Sequence, residues 1–227
     1  MKAAAEDTKL ARSSEDEPAP IDVTVRKHRA SSGEIIAKEA KKGYDLLVVG
    51  IENTRDKSGG FHPDVSRIAS AFEGPLAVVS ANGDHLKQPQ QSPLHLLVPV
   101  TGNEVSRRAA DVAIAIARAS ECPITALYVA TGGAGNGRKR RGFRAPRQEQ
   151  AIMKDVVEMA DRHDVTARTA VHSDVAPHEA ILAEVKEHGH DLIVMGVSRR
   201  PGNNLFFGDT AAAVLENSPA SIVFVAS

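Results

Sequence analysis

Gly196, Gly208, Asp209 and Thr210 bracket a polar loop that carries Arg199, Arg200 and Gly202. A short apolar run, Leu192 to Met195, stands before the loop, and a segment with helical spacing, Ala211 to Leu215, follows it. A strand that feeds a glycine-bearing loop and then a helix N-terminus aims free backbone N–H groups at one point. An anion, most often a phosphate, is the ligand such a point favours. Arg199 and Arg200 add donors for charge-assisted hydrogen bonds. Glycines that only make a tight turn would read the same way, so the loop alone does not decide between the two. Thr101 and Gly102 follow a second apolar run, Leu96 to Val100, and belong to the same pocket when the two runs share a sheet.

Other reactive side chains give weaker patterns. His172 with His178, and His188 with His190, lack the cysteines or the paired spacing that zinc sites use, so surface or capping roles are expected and no metal is assigned. The single cysteine, Cys122, precedes Pro123 at a strand start and reads as an inert thiol. Neither a G-x-S-x-G nor a G-x4-G-K-[ST] signature is present, and no carboxylate pair is placed at a pocket, so no catalytic residue is assigned. The basic run Arg138 to Arg141, with Arg144 and Arg147, reads as a solvated loop, the alternative being contact with anionic lipid or phosphate. Only Phe143 is interleaved there for stacking, and the net charge is −1, so nucleic acid is not an expected partner.

The elements that must position these residues follow from periodicity. The chain of 227 residues is 42% hydrophobic, lacks tryptophan, and is rich in Ala, Val, Ile and Leu, as suits helices packed on a parallel sheet. One cysteine excludes an internal disulfide and fits a reducing compartment, and no apolar run is long enough to span a bilayer. From His95 onward, strands and helices alternate: Leu96 to Val100, Ser106 to Ser120, Ile124 to Val129, Gln148 to His163, Thr166 to His172, His178 to His188, Asp191 to Met195, then the last helix and Ile222 to Val225. Alternation of this kind predicts a doubly wound α/β fold with a five-stranded parallel sheet, carrying Leu97, Leu127, Ala170, Ile193 and Val223. Thr131 to Arg147 reads as a mobile loop and Gly189 as a helix cap.

The N-terminal part repeats the end of this pattern. Asp45-Leu-Leu-Val-Val-Gly50 matches Asp191-Leu-Ile-Val-Met-Gly196, and Ile35, Ala37 and Gly43 fall on Ile181, Ala183 and Gly189. Gly74-Pro75 matches Ser218-Pro219 after a two-residue shift in the loop. The expected organisation is a partial unit over residues 1–85, a linker over 86–93, and a complete unit over 94–227. Leu76 to Ser80 and Ile222 to Ala226 are apolar edge strands that should pair within the chain or between chains. A homodimer or an intrachain pseudo-dimer is therefore expected.

Leu97-Val-Pro-Val-Thr-Gly102, Asp191 to Gly196 and Gly208-Asp-Thr210 together resemble the universal stress protein domain over about Pro93 to Ser227. The first copy resembles its last three-fifths. The phrase from Gly196 to Gly208 also resembles the tandem stress-protein domains at the cytosolic end of bacterial cation/proton antiporters. The resemblance implies an adenine nucleotide alpha hydrolase-like fold, a regulatory rather than enzymatic role, and a cytoplasmic setting, at the inner face of the membrane where an antiporter is the partner. The rival expectations are a stand-alone nucleotide-binding stress-response protein and a ligand-free dimerisation scaffold.

In nucleotide-binding members an Asp after the first strand reads the adenine and ribose end, and a G-x2-G-x9-G-[ST] loop holds phosphate. Here the Asp position is Thr101, and the loop reads Gly196-x2-Arg199-x8-Gly208-Asp209-Thr210. Each charge-assisted contact from the arginines contributes roughly 1.5–3 kcal/mol. Asp209 opposes phosphate by about 1–4 kcal/mol, depending on the local dielectric. The expectation is weak or absent ATP binding, with an adenine nucleotide of lower charge or a dinucleotide as the remaining ligand class.

Overall fold

The computed structural model describes residues 46–50, 61, 63–72, 74–86, 94–130, 145–198 and 208–226. The strand and helix expected before residue 45, the loop after Gly50, most of the 86–93 linker, the basic run Arg138 to Arg144 and the loop 199–207 lie outside them. Seven strands form one sheet in the order β1-β2-β7-β6-β3-β4-β5. They are β1 (Leu47–Gly50), β2 (Leu76–Ser80), β3 (Leu96–Val100), β4 (Ile124–Ala130), β5 (Ala167–Ser173), β6 (Leu192–Val197) and β7 (Ser221–Ala226). The helices are α1 (Pro63–Ala71), α2 (Glu104–Ala119), α3 (Ala145–Asp161), α4 (Pro177–His188) and α5 (Asp209–Asn217). All five expected positions, Leu97, Leu127, Ala170, Ile193 and Val223, are on strands of the parallel part, β7-β6-β3-β4-β5. Arg147, expected in the loop, is in the first turn of α3, because the helix starts three residues before Gln148.

Strand residues alternate between two cores, as the two-residue side-chain period requires. Leu76, Val78, Leu97, Leu127, Ile193, Ile222 and Phe224 pack with α1, α4 and α5. Leu96, Val98, Ile124, Ala126, Leu192, Val194, Val223 and Val225 pack with α2 and α3. Both faces of the central strands are therefore covered, and this is why they read as continuous apolar runs.

The two expected edges pair with each other inside the chain. β2 runs antiparallel to β7, with Leu76 opposite Ala226 and Ser80 opposite Ile222. A single-turn helix, Gly83–Leu86, helps fasten this seam. Beside it the Asn82 N–H and the His85 Nδ1 each lie within 2.9 Å of Ser221 Oγ.

The two matched segments correspond without a net gap, which corrects the two-residue shift expected after the loop. Helix α1 falls on α5 at a constant offset of 146 residues (209 − 63 = 217 − 71). The register agrees, since Leu47 opposite Leu76 becomes Ile193 opposite Ile222. Burial agrees too: Val65, Ile68 and Ala69 are buried, as are Ala211, Val214 and Leu215. Matching Pro75 to Pro219 by residue type was misleading, because these prolines stand at different distances from their strands. At the offset of 146, Val78 corresponds to Phe224, and the two are also opposite each other in the seam. A local twofold axis thus passes between two fully buried residues. Phe61 closes the axis with its ring edge-on to Phe224, centroids 5.8 Å apart.

Candidate functional site

In the parallel sheet the chain reverses its winding between β6 and β3, and the carboxyl ends of these strands splay apart there. A cleft of about 330 Å³ opens at this point. Thr101, Gly196 and Thr210 line it together, so three of the sequence-predicted residues meet. Gly208 and Asp209 line an adjoining depression that shares Met195, Gly196 and Thr210 with the cleft. Gly102 lies in a further depression of about 500 Å³, with Glu104, Arg107 and Asp155. Arg199, Arg200 and Gly202 lie outside the described residues.

Local geometry explains how each residue reaches its place. Gly102 has φ 78°, a conformation that favours glycine, and it turns the chain from β3 into α2. Asn103 then caps α2: its Oδ1 accepts from the Ser106 N–H at 2.8 Å, and Ser106 Oγ donates to the Asn103 carbonyl at 3.0 Å. The Thr101 N–H donates to the same buried hydroxyl at 3.3 Å. The amino end of α2 is thereby closed by its own side chains. Helix α5 differs. Its N-cap is Gly208, φ 96°, which has no side chain to accept from the first amides.

Gly196 has a structural duty as well. A Cβ there would fall within 2.6 Å of the Val105 carbonyl carbon and 2.8 Å of Ser106 Cα. The end of β6 and the first turn of α2 touch backbone to backbone, and this contact forms one wall of the cleft.

Sequence reasoning missed Ser106, Tyr128, Pro177, Ile181 and Met195, all of which line the cleft. The carboxyl ends of strands were the available signal for Tyr128 and Met195. Pro177 and Ile181 carried none, because their place depends on where α4 crosses the sheet. Among the described residues, the cleft lining holds no charged side chain. Val100, Leu127, Val129, Ile181 and Met195 form an apolar slot, and Thr101, Asn103, Tyr128 and Thr210 place polar groups around it. Such a slot suits a flat, weakly charged ring system.

Cys122 stands apart, half-buried, and burial together with the Asp191 carboxylate pushes its thiol pKa up. A protonated thiol is a poor nucleophile, in keeping with the inert role expected. The histidines are different from expectation: His172, His188 and His190 converge on the buried Glu184.

The family model for the universal stress protein family matches residues 94–226, more than half of the chain. The chain belongs to the universal stress protein family. It is 28% identical over 158 residues to the universal stress protein MJ0531 of Methanocaldococcus jannaschii, covering 66% of this chain and 88% of that one. Among solved structures, it is similar to a universal stress protein family member from Burkholderia pseudomallei at TM-score 0.50 and 17% identity, covering 60% of this chain and 98% of that one. It is also similar to a universal stress protein from Archaeoglobus fulgidus at TM-score 0.55 and 18% identity, covering 84% of this chain and 63% of that one. The last likeness covers more of the chain than residues 94–226. Among the described residues, no helix is long and apolar enough to cross a membrane.

Proposed function

We propose that this chain is a non-enzymatic regulatory module, with a partial stress-protein unit over residues 1–85 and a complete one over 94–227, and that the complete unit receives an adenine nucleotide of low charge or a dinucleotide. The supporting observation is the cleft at the strand reversal, apolar and uncharged among the described residues, beside the uncapped amino end of α5. Stacking and apolar contact hold a base there, and the α5 amides meet one phosphate. Asp209, exposed at the first position of α5, repels a second and third phosphate. The described lining holds no carboxylate, histidine or cysteine to act as acid, base or nucleophile, which favours sensing over hydrolysis.

Isothermal titration of the full chain with AMP, a dinucleotide and Mg-ATP tests this reading. AMP or the dinucleotide should bind at least as tightly as ATP. Thr101→Asp together with Asp209→Ser should strengthen ATP binding. Submicromolar ATP affinity in the unaltered chain would show that these departures from the family loop do not matter. No gain from the double substitution, with no binding of any nucleotide, would leave a ligand-free scaffold.

The resemblance of Gly196 to Gly208 to antiporter-linked domains supports a finer reading: the module acts at the inner face of the membrane on a cation/proton antiporter. Cation/proton exchange in everted membrane vesicles should change when residues 94–227 are deleted, and unchanged exchange removes this reading.

A further inference from the structure

Glu184 sits on α4 with 3% of its surface exposed, in a cluster that lines none of the cleft. His172, from β5, brings Nε2 to 2.9 Å from Oε2 of Glu184. His188 brings Nδ1 to 3.2 Å from Oε1, and His190 brings Nε2 to 3.9 Å from the same oxygen. Helix geometry sets two of these positions. Glu184 and His188 are four residues apart on one face of α4. Gly189 then ends the helix in the left-handed conformation, φ 66°, and turns His190 back, its N–H bonded to the Val185 carbonyl at 3.2 Å.

His190 is the side chain that an ion pair does not explain. It is 9% exposed, and neither ring nitrogen makes a hydrogen bond, although the His95 backbone lies close enough to favour the protonated ring. An imidazole carries a donor or a lone pair at each nitrogen, and buried groups of this kind have partners. The hydrogen bond with His172 and the close contact with His188 engage both carboxylate oxygens of Glu184 without His190.

We propose that Glu184 Oε1, His188 Nδ1 and His190 Nε2 form a binding site for a divalent first-row transition metal, zinc by donor type. These atoms lie within 4.8 Å of one another. Ligands bound tetrahedrally to zinc at about 2.0–2.2 Å stand about 3.3–3.6 Å apart, and the separations of 3.2 and 3.9 Å from Oε1 bracket that range. Two imidazoles and a carboxylate suit zinc and leave one position for water. His172, donating to the second carboxylate oxygen, fixes the orientation of Glu184 as an outer partner does. His188 has a side chain 58% exposed and forms the open side through which an ion arrives.

The test is titration of the chelator-stripped full chain with zinc against a chromophoric competitor. One zinc per chain at micromolar affinity or tighter is expected, with affinity falling as pH drops and protons compete for the imidazoles. His188→Ala, at an exposed position that the fold does not need, should weaken binding roughly tenfold or more. His163→Ala, exposed and outside the cluster, should change nothing. Zinc should raise the melting temperature of the unaltered chain and not of His188→Ala. Binding that is only millimolar, or equal in the unaltered chain and His188→Ala, overturns the proposal.

Discussion

Gly50 and Gly196 occupy corresponding positions at the offset of 146, yet a methyl group would meet different surroundings at each. At Gly196 it strikes the backbone of Val105 and Ser106; at Gly50 it meets nothing within 4 Å. Gly196→Ala should destabilise the chain by about 1–3 kcal/mol, the range of overpacking. Gly50→Ala should stay within about 0.5 kcal/mol of the parent. Urea unfolding of both variants checks this, and equal midpoints would mean that β6 and α2 have room to part. Gly196 was legible in the sequence as a site residue, but not for this reason: the turn is visible in the local residues, whereas the helix that presses on it starts at Glu104. The same limit hid the histidine cluster. His172 and Glu184 meet only because α4 folds back over the sheet, and no spacing in the sequence encodes the direction of either side chain.

Helix α2 accounts for a second difference between the copies. Over the second copy it covers Leu192 and Val194, which are 8% and 0% exposed. The equivalent residues, Leu46 and Val48, are 40% and 60% exposed, and no described residue of the first copy stands where α2 would. Among the described strands, β1 is also the outermost of the sheet. An apolar edge of this kind invites pairing with another chain. Self-association through β1 is the expected outcome, and Val48→Lys should weaken it. Light scattering at micromolar concentration decides: a parent already monomeric, or a variant as associated as the parent, counts against it. The strands themselves were legible, because a strand buried on both faces reads as an apolar run after Asp45 and Asp191 alike. The Gly189 cap was legible for a local reason, the left-handed turn. The loop alignment failed because matching prolines carry less information than helix and strand register.

Across the whole molecule, β7 is an interior strand only because β2 lies beside it. A chain cut to residues 94–227 keeps strands β3 to β7 and uncovers the edge from Ile222 to Ala226, where each residue is buried in the full chain. That piece should dimerise by antiparallel pairing of β7 with its copy. A monodisperse monomer in sedimentation at micromolar concentration would show that β7 needs no partner. In the full chain the partner is supplied covalently. The chain runs from β2 into β3 of the same sheet, so β2 and β7 belong to one covalent chain, and linkage of this sort maintains an effective concentration of millimolar order. Association between separate copies obeys mass action and fades on dilution, but closure of the β2–β7 seam does not. A cell that makes few copies of the protein therefore keeps the same seven-stranded sheet as one that makes many.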